Sequence, residues 1–158
     1  MDSVLPEDLL ATMHSLPNTH LKLLIVDDDP NTRALLREAL EVCGANVRVS
    51  ASAREAQQAV ESWHPDLMIS DLAMPREDGY ELIRRVRDLP PDRGGRMPAI
   101  ACTAFSRDEV HERAINAGFD AVVAKPVDID LLVDTIAHVA GVRGSRSGAG
   151  CAPPGGCV

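Results

Sequence analysis

The chain has little positive charge and few lysines. Its 158 residues include 16 Lys and Arg against 24 Asp and Glu, which gives a net charge of −8. Sequence-independent binding of nucleic acid needs a basic face that displaces phosphate counterions, so nucleic acid is excluded as an expected partner. Only Lys22 and Lys125 are lysines, and the other basic residues are arginines. This imbalance raises the question of what each lysine does.

Long apolar runs, a secretory signal and closely paired cysteines are also missing. No run approaches the roughly 20 residues of a membrane-spanning helix, and residues 1–8 contain acidic but no basic side chains, unlike a signal peptide. The cysteines form no C-x-x-C pair and are Cys43, Cys102, Cys151 and Cys157. We expect reduced thiols in a cytoplasmic protein with no membrane partner. A tail disulfide or metal site at Cys151 and Cys157 is the alternative.

The length of the chain allows one domain with short tails. Residues 1–20 are an N-terminal arm whose weak helical pattern ends at Pro17 and Asn18. We favour a loosely packed arm, with a partner-docking helix as the alternative. The apolar positions of the arm are Leu5, Leu9, Met13 and Leu16. Residues 141–158 are rich in Gly, Pro and Ser, which predicts a disordered tail, so the domain itself covers residues 21–140.

Within the domain, short apolar runs alternate with helical patterns five times. The runs cover residues 21–26, 46–50, 67–69, 99–102 and 121–124. Helix starts and ends are marked by Asp29 with Pro30, Gly44, Ser52 with Glu55, Asp78 with Gly79, Ser106 with Glu109, Gly118 and Asp128. Segment 89–98, rich in Pro and Gly, predicts a mobile surface loop. Five strand-then-helix units predict an α/β fold with a five-stranded, doubly wound parallel sheet of order 2-1-3-4-5, the flavodoxin-like arrangement.

Polar side chains follow four of the predicted strands. The first strand ends in Asp27 and Asp28, the third in Asp71, the fourth in Thr103 and the fifth in Lys125. In the order 2-1-3-4-5 the first and third strands are neighbours, and parallel strands end at one edge of the sheet. We therefore expect the three carboxylates, the hydroxyl and the ammonium group to converge there.

Three carboxylates in one place repel one another unless a cation is present. Mg²⁺ suits such a site, because it prefers oxygen ligands and leaves positions for water and phosphate. Lys125 supplies a point charge for a phosphoryl oxygen or for Asp71, and Thr103 supplies a hydroxyl donor. An ionised Asp71 in this setting can accept a phosphoryl group. Each residue alone has an ordinary structural interpretation, and Asp29 is best explained as a helix cap.

The combined motif resembles the receiver domain of two-component response regulators over about residues 21–140. The resemblance is carried by LIVDDD at residues 24–29, SDLAMP at 70–75 with DG at 78–79, TA at 103–104 and KP at 125–126. The loop before the fourth strand and the run GFDAVVAKPV look more like receivers attached to hybrid histidine kinases than like those of transcription factors. The family match implies that the Lys125–Pro126 peptide bond is cis.

The resemblance also assigns roles to the converging residues. It implies Asp71 as the phosphoacceptor, Asp28, Asp71 and the Ala73 carbonyl as Mg²⁺ ligands, Asp27 as a ligand through water, and Thr103 and Lys125 as phosphoryl contacts. It further implies that the phosphoryl donor is a phosphohistidine on a histidine kinase or a histidine phosphotransfer protein.

Three positions depart from the pattern that many receivers show. Val122 stands where a switching Tyr or Phe is common, so another surface reports phosphorylation or the protein serves only relay. Ala73 and Phe105 lie two residues beyond Asp71 and Thr103, and neither side chain can orient a hydrolytic water. The resemblance with these departures predicts a long-lived phosphoryl group.

The sequence therefore predicts a single-domain response regulator that acts by binding partner proteins. It is not expected to be an enzyme beyond Mg²⁺-dependent self-phosphorylation and self-dephosphorylation on Asp71. A phosphohydrolase of the haloacid dehalogenase type is the first alternative, since Asp27 and Asp29 fit its D-x-D-x-T motif, although Asn31 occupies the threonine position. A receiver-like domain that is never phosphorylated is the second.

Overall fold

The structure is a computed structural model and describes residues 21–74, 76–105 and 107–147. The strands are β1 (Lys22–Val26), β2 (Asn46–Ser50), β3 (Leu67–Asp71), β4 (Ala99–Thr103) and β5 (Ala121–Ala124). The helices in these ranges are α1 (Pro30–Val42), α2 (Ala53–Trp63), α3 (Gly79–Asp88), α4 (Asp108–Ala117) and α5 (Ile129–Ser147), with a 3₁₀ turn at Pro91–Arg93. Strands and helices alternate as predicted.

All five strands are parallel and form one sheet in the order β2-β1-β3-β4-β5. The predicted doubly wound, flavodoxin-like fold is therefore confirmed. The registers pair Val26 with Ser50 and Ser70, Asp71 with Cys102, and Thr103 with Ala124. The carboxyl ends of neighbouring strands are thus level, and the residues that follow them share one edge of the sheet.

Helices cover both faces of the sheet because β1, β3 and β4 bury side chains in both directions. On one face, α1 and α5 pack through Leu36, Leu40, Leu132 and Ile136. On the other, α2, α3 and α4 pack through Val60, Leu82, Ile83, Val86 and Ala114. Strand β3 is buried along its whole length, as its continuous apolar run predicts. Two cores fix the sheet and hence the edge at which the polar residues meet.

Side chains cap four of the helices at the predicted positions. The carboxylate or hydroxyl oxygens of Asp29, Ser52, Asp78 and Asp128 accept hydrogen bonds from backbone N–H groups in the first turn of α1, α2, α3 and α5. The start of α4 differs from the prediction. It begins at Asp108 with Arg107 at the cap position, one residue later than the expected cap at Ser106, which itself lies outside the described residues.

The last helix is longer than the sequence predicts. We expected a disordered tail from residue 141, but α5 continues through Ser147. An existing helix adds one hydrogen bond per residue without a new nucleation step, so composition alone placed this boundary too early. Residues 1–20 and 148–158, and the predictions made for them, lie outside the described residues. Within the described ranges, no helix is both long enough and apolar enough to cross a membrane.

The segment from Leu89 to Pro98, which the sequence predicts to be a mobile surface loop, is attached to the domain near its end. Nη1 of Arg87 donates hydrogen bonds to the carbonyl oxygens of Gly95 (3.0 Å) and Met97 (2.6 Å). Gly95 and Met97 are buried. A Cβ atom at Gly95 would lie 2.0 Å from the carbonyl oxygen of Leu89, so the close packing requires glycine here.

Candidate functional site

Three aspartates meet at the carboxyl edge of the sheet, where β1 and β3 lie side by side. One carboxylate oxygen from each of Asp27, Asp28 and Asp71 lies within 4.8 Å of the others. Asp27 is 3% exposed and Asp71 is 7% exposed, whereas Asp28 faces solvent. The structure therefore brings together the carboxylates that the strand order predicted to converge.

Lys125 reaches the same cluster from the end of β5. Its Nζ lies 2.9 Å from Oδ2 of Asp27 and 3.2 Å from Oδ2 of Asp71. Burial of the ammonium group lowers its pKa, but its hydrogen bonds and ion pairs with the two carboxylates outweigh burial, and the pKa of Lys125 is raised. The side chain is therefore a fixed positive charge between two of the three carboxylates.

The Asp71 carboxyl has a pKa above its ordinary value. Burial is the largest cause, the positive charge of Lys125 opposes it, and the negative charge of Asp27 adds to it. The backbone N–H of Ala73 donates a 3.2 Å hydrogen bond to Oδ1 of Asp71 and favours the ionised form. One ammonium group thus leaves negative charge uncompensated at the cluster, which is the electrostatic condition under which a further cation binds.

The backbone around the two buried aspartates is also fixed by hydrogen bonds. Oδ1 of Asp27 accepts a hydrogen bond from the N–H of Asp29 (2.9 Å), and Nη1 of Arg33 donates to the carbonyl oxygen of Asp27 (2.8 Å). The hydroxyl of Ser70 donates to the carbonyl oxygen of Asp71 (2.9 Å). The positions of both carboxylates are therefore set by their own strands and by α1.

Gly79 lets the chain pass close to the phosphoacceptor candidate. A Cβ atom there would lie 2.3 Å from the carbonyl oxygen of Asp71, a distance that no side chain can accept. The N–H of Gly79 donates a 2.9 Å hydrogen bond to the carbonyl oxygen of Leu72. The sequence marked Gly79 only as turn chemistry before a helix, whereas the structure shows that it closes the loop after β3.

Thr103 is buried at the end of β4. Its Oγ1 accepts a 3.0 Å hydrogen bond from the N–H of Phe105, which leaves the hydroxyl hydrogen available as a donor. Thr103 and Ala73 also line an open groove of about 580 Å³ between the β3–α3 and β4–α4 loops, together with Leu72, Met74, Asp78, Tyr80, Phe105, Val110 and Arg113. The groove therefore borders the loop that directly follows Asp71.

Two details of the site were not predicted. The hydrogen bond from Arg33 to the carbonyl oxygen of Asp27 could not be predicted from residue spacing, because it depends on how the first turn of α1 packs beside β1. The guanidinium of Arg113 stacks on Tyr80, with Cζ 3.9 Å from the ring centroid, and joins α4 to α3 beside the groove.

Asp29 is a helix cap, as its structural interpretation predicted. The Lys125–Pro126 bond is cis, as the resemblance implied.

The site residues fit a divalent cation. The carboxylates of Asp27, Asp28 and Asp71 form an all-oxygen set around one point. Such a hard, incomplete oxygen set matches the demand of Mg²⁺, which keeps several waters.

A thiol also lies nearby, because Cys102 pairs with Asp71 in the sheet. Burial raises the pKa of that thiol to about 12, so it stays protonated and is not a competing soft ligand.

Comparison with known proteins identifies the family. Residues 23–137 match the response regulator receiver domain, so the chain belongs to the receiver-domain family of two-component systems. Receivers of this family are typically phosphoacceptors and not enzymes in their own right. The match also leaves no support for a haloacid dehalogenase fold, whose motif would place a threonine at Asn31 in α1.

Three similar proteins place the chain within the family. It is 50% identical over 108 residues to the "Uncharacterized 14.6 kDa protein in sodA1 3'region" of Leptolyngbya boryana, covering 68% of this chain and 81% of that protein. It is 33% identical over 130 residues to the sensor histidine kinase RcsC of Escherichia coli K12, covering 82% of this chain but only 13% of that protein. The solved receiver domain of the sensor histidine kinase PA1611 from Pseudomonas aeruginosa PAO1, with a magnesium ion coordinated in its active-site cleft, is 27% identical with a TM-score of 0.70 and covers 77% of this chain and 98% of that one. The predicted likeness to hybrid-kinase receivers is confirmed by RcsC.

Proposed function

We propose that Asp71 accepts a phosphoryl group from a phosphohistidine in an Mg²⁺-dependent reaction, and that the phosphorylated domain signals or relays by binding partner proteins. The observation that carries this proposal is the cluster itself. Three carboxylates lie within 4.8 Å of one another, and the ammonium group of Lys125 contacts two of them. Membership of the receiver family supports the same role.

The transfer is a substitution at phosphorus. An Oδ atom of Asp71 forms the new P–O bond as the P–N bond of the phosphohistidine breaks, and the leaving imidazole nitrogen keeps the electron pair and takes up a proton. Asp28, Asp71 and the Ala73 carbonyl would hold Mg²⁺, with Asp27 acting through water, and the ion would supply positive charge against the phosphoryl oxygens.

Lys125 and Thr103 act on the phosphoryl group after transfer. Lys125 already contacts Asp71, so its ammonium group can pair with a phosphoryl oxygen at that carboxylate. The hydroxyl hydrogen of Thr103 can donate to a second oxygen, because Oγ1 uses only its acceptor side for the N–H of Phe105. A phosphoryl group at Asp71 would change the contacts of both side chains, which would give the domain two states that partners can distinguish.

The partner classes follow from the relatives. RcsC is a sensor histidine kinase, and a histidine kinase or a histidine phosphotransfer protein would supply the phosphohistidine. The match to the 14.6 kDa relative covers most of that protein, which supports a receiver that works without an attached output domain. The role of the downstream partner is then to recognise the phosphorylated surface.

A small phosphodonor tests the proposal. The chain is incubated with Mg²⁺ and acetyl phosphate, and intact mass is measured for the wild type, Asp71→Asn and the exposed control Asp88→Asn. We expect one added phosphoryl unit in the wild type and in Asp88→Asn, none in Asp71→Asn, and none in any protein after chelation. A phosphoryl unit on Asp71→Asn would show that another residue is the acceptor.

A further inference from the structure

We propose that Arg33 is a positioning residue for the metal site, and that it raises the affinity of the cluster for Mg²⁺ by holding the backbone on both sides of Asp28. The inference rests on the proposed function, because it concerns the ion that the three aspartates would bind. Arg33 lies in the first turn of α1 and is half-buried. A guanidinium is a donor without an acceptor and cannot ligate a cation, so Arg33 acts on the ion through the aspartates.

Asp28 is the least constrained of the three aspartates. Oδ1 of Asp27 accepts a 2.9 Å hydrogen bond from the N–H of Asp29, and Oδ2 accepts one of 2.9 Å from Nζ of Lys125. Oδ2 of Asp71 lies 3.2 Å from the same Nζ. In contrast, Asp28 faces solvent, and within the described residues its carboxylate makes no hydrogen bond or ion pair. The placement of this carboxylate therefore depends on the backbone that carries it.

Arg33 fixes that backbone from two sides. Its Nη1 donates a 2.8 Å hydrogen bond to the carbonyl oxygen of Asp27, which belongs to the peptide unit that joins Asp27 to Asp28. The backbone N–H of Arg33 donates a 3.1 Å hydrogen bond to the carbonyl oxygen of Asp29. Both residues that flank Asp28 are thus bound to one residue of α1. Because the donor of the first bond is charged, that bond is about twice as strong as a neutral one.

The charge of Arg33 opposes metal binding, whereas its hydrogen bond supports it. The guanidinium contacts the backbone of Asp27, where its positive charge repels a second cation. From charge alone, removal of Arg33 would therefore tighten Mg²⁺ binding. Loss of a group that orients a metal ligand, however, typically weakens affinity by about 10- to 100-fold. Because Mg²⁺ demands near-ideal octahedral geometry, we expect the loss of orientation to be the larger effect.

Calorimetric titration of the full chain with MgCl₂ tests the proposal. Arg33→Met keeps much of the aliphatic stem but removes the charge and the hydrogen bond, and we expect Kd to rise about tenfold. Arg33→Gln, a second neutral variant, should show the same loss. Arg33→Lys keeps the charge and can donate one hydrogen bond, so it should retain most of the affinity. Urea denaturation without Mg²⁺ checks that each variant is folded.

Arg37→Met is the matched control. Arg37 lies one turn further along α1, is exposed and pairs with Glu41, with Nε 3.3 Å from Oε2. Its substitution removes the same charge from the same helix without touching the backbone at Asp28, and Kd should not change. At saturating Mg²⁺, Arg33→Met should gain the same phosphoryl unit from acetyl phosphate as the wild type, because only the affinity for the ion is altered.

Three results would overturn the proposal. The first is an affinity in Arg33→Met and Arg33→Gln that is unchanged or tighter than in the wild type. The second is an equal loss of affinity in Arg33→Met and Arg37→Met. The third is a wild type that binds no Mg²⁺, which would also overturn the proposed function. A wild type that binds Mg²⁺ and is phosphorylated on Asp71 leaves the proposed function intact, however the Arg33 variants behave.

Discussion

The two lysines of the chain lie at opposite edges of one sheet, and their surroundings differ in kind. Lys22 opens β1 at the amino edge, where Nζ donates a 2.8 Å hydrogen bond to the carbonyl oxygen of Trp63 and lies 5.4 Å from the centroid of its ring. Lys125 follows β5 at the carboxyl edge and contacts Asp27 and Asp71. The first lysine binds neutral partners, and the second faces more carboxylates than it can neutralise.

This difference extends to the rest of each edge. At the amino edge, Arg87 bonds to three carbonyl oxygens and to Asp120, whose Oδ2 also accepts from the N–H of Ala99. Its charge is matched locally. At the carboxyl edge, three carboxylates lie together and the ammonium group of Lys125 contacts two of them. Balanced polar contacts thus stabilise the fold at one end of the strands, while negative charge is left in excess at the other.

Removing the polar contacts at the amino edge should have the largest effect on the free energy of unfolding. Arg87→Ala removes the side chain that joins α3 to the segments preceding β4 and β5, and leaves Asp120 with less compensation. We expect a loss of about 3 kcal/mol in the free energy of unfolding, measured by urea denaturation. The exposed control Arg84→Ala should change it by less than about 0.5 kcal/mol. Equal stability of the two variants would contradict the structural role of Arg87.

Replacing each lysine with alanine should show that the two edges of the sheet differ in function. Lys125→Ala removes the only ammonium group that contacts Asp71 among the described residues, and we expect phosphorylation by acetyl phosphate to slow about a hundredfold, as for loss of one electrostatic contact to the transition state. Lys22→Ala should leave this rate unchanged and lower stability by about 1 kcal/mol. A slow reaction in both variants would mean that the rate reports general damage to the fold.

Mg²⁺ should stabilise only a protein whose carboxylate cluster is intact. At about ten times Kd, binding to the native state adds about 1.4 kcal/mol to the free energy of unfolding. Thermal melts with and without Mg²⁺ should show this gain in wild type and in Asp88→Asn, and should show little of it in Asp71→Asn. An equal gain in Asp71→Asn would place the ion elsewhere.

Because the pKa of Asp71 is raised, the stability of the carboxyl edge should depend on pH. Without a metal, the native state binds this proton more readily than the unfolded state, so Asp71 contributes stability at acid pH that is lost as pH rises through its native pKa. Asp71→Asn should therefore be more stable than the metal-free wild type near neutral pH, and the difference should shrink on acidification. If the difference in stability between the two proteins does not shrink as pH falls, the predicted direction is wrong.

The lifetime of the phosphoryl group should change by a smaller factor. Ala73→Asn adds an amide beside Asp71 that can orient a water molecule, while keeping the backbone carbonyl. We expect the half-life of the phosphorylated protein in Mg²⁺ to shorten several-fold, as for a single positioning contact. Ala34→Asn, on the exposed side of α1, should leave it unchanged. A wild type that already loses its phosphoryl group within seconds would overturn the predicted long lifetime.

The smallest effect should be seen at Trp63, the only tryptophan of the chain. It lies at the amino edge, where Cζ of Arg48 is 4.8 Å from the ring centroid. We expect no change in its fluorescence on addition of Mg²⁺, and a shift in emission in Lys22→Ala. Quenching by Mg²⁺ in the wild type would show that the two edges communicate.

How much could be predicted differs between the edges for a physical reason. Asp27, Asp28, Asp71, Thr103 and Lys125 were predictable because parallel strands end at one edge and each residue lies within two positions of the end of an apolar run. The contacts of Arg87 join residues 31 and 33 positions apart, and no periodic pattern encodes them. The close approach of the chain at Gly79 depends on tertiary packing, and the extension of α5 depends on helix propagation. Neither can be predicted from composition.

Cys102 illustrates a consequence of this arrangement for durability in the cell. Cys102 pairs with Asp71 in the sheet, yet burial raises the pKa of its thiol to about 12, which leaves almost no thiolate at neutral pH. Peroxide attacks the thiolate form, so the sulfur beside the reactive carboxylate resists sulfenic acid formation. If Asp71 is phosphorylated as proposed, oxidation of Cys102 is therefore not expected to interfere with that modification.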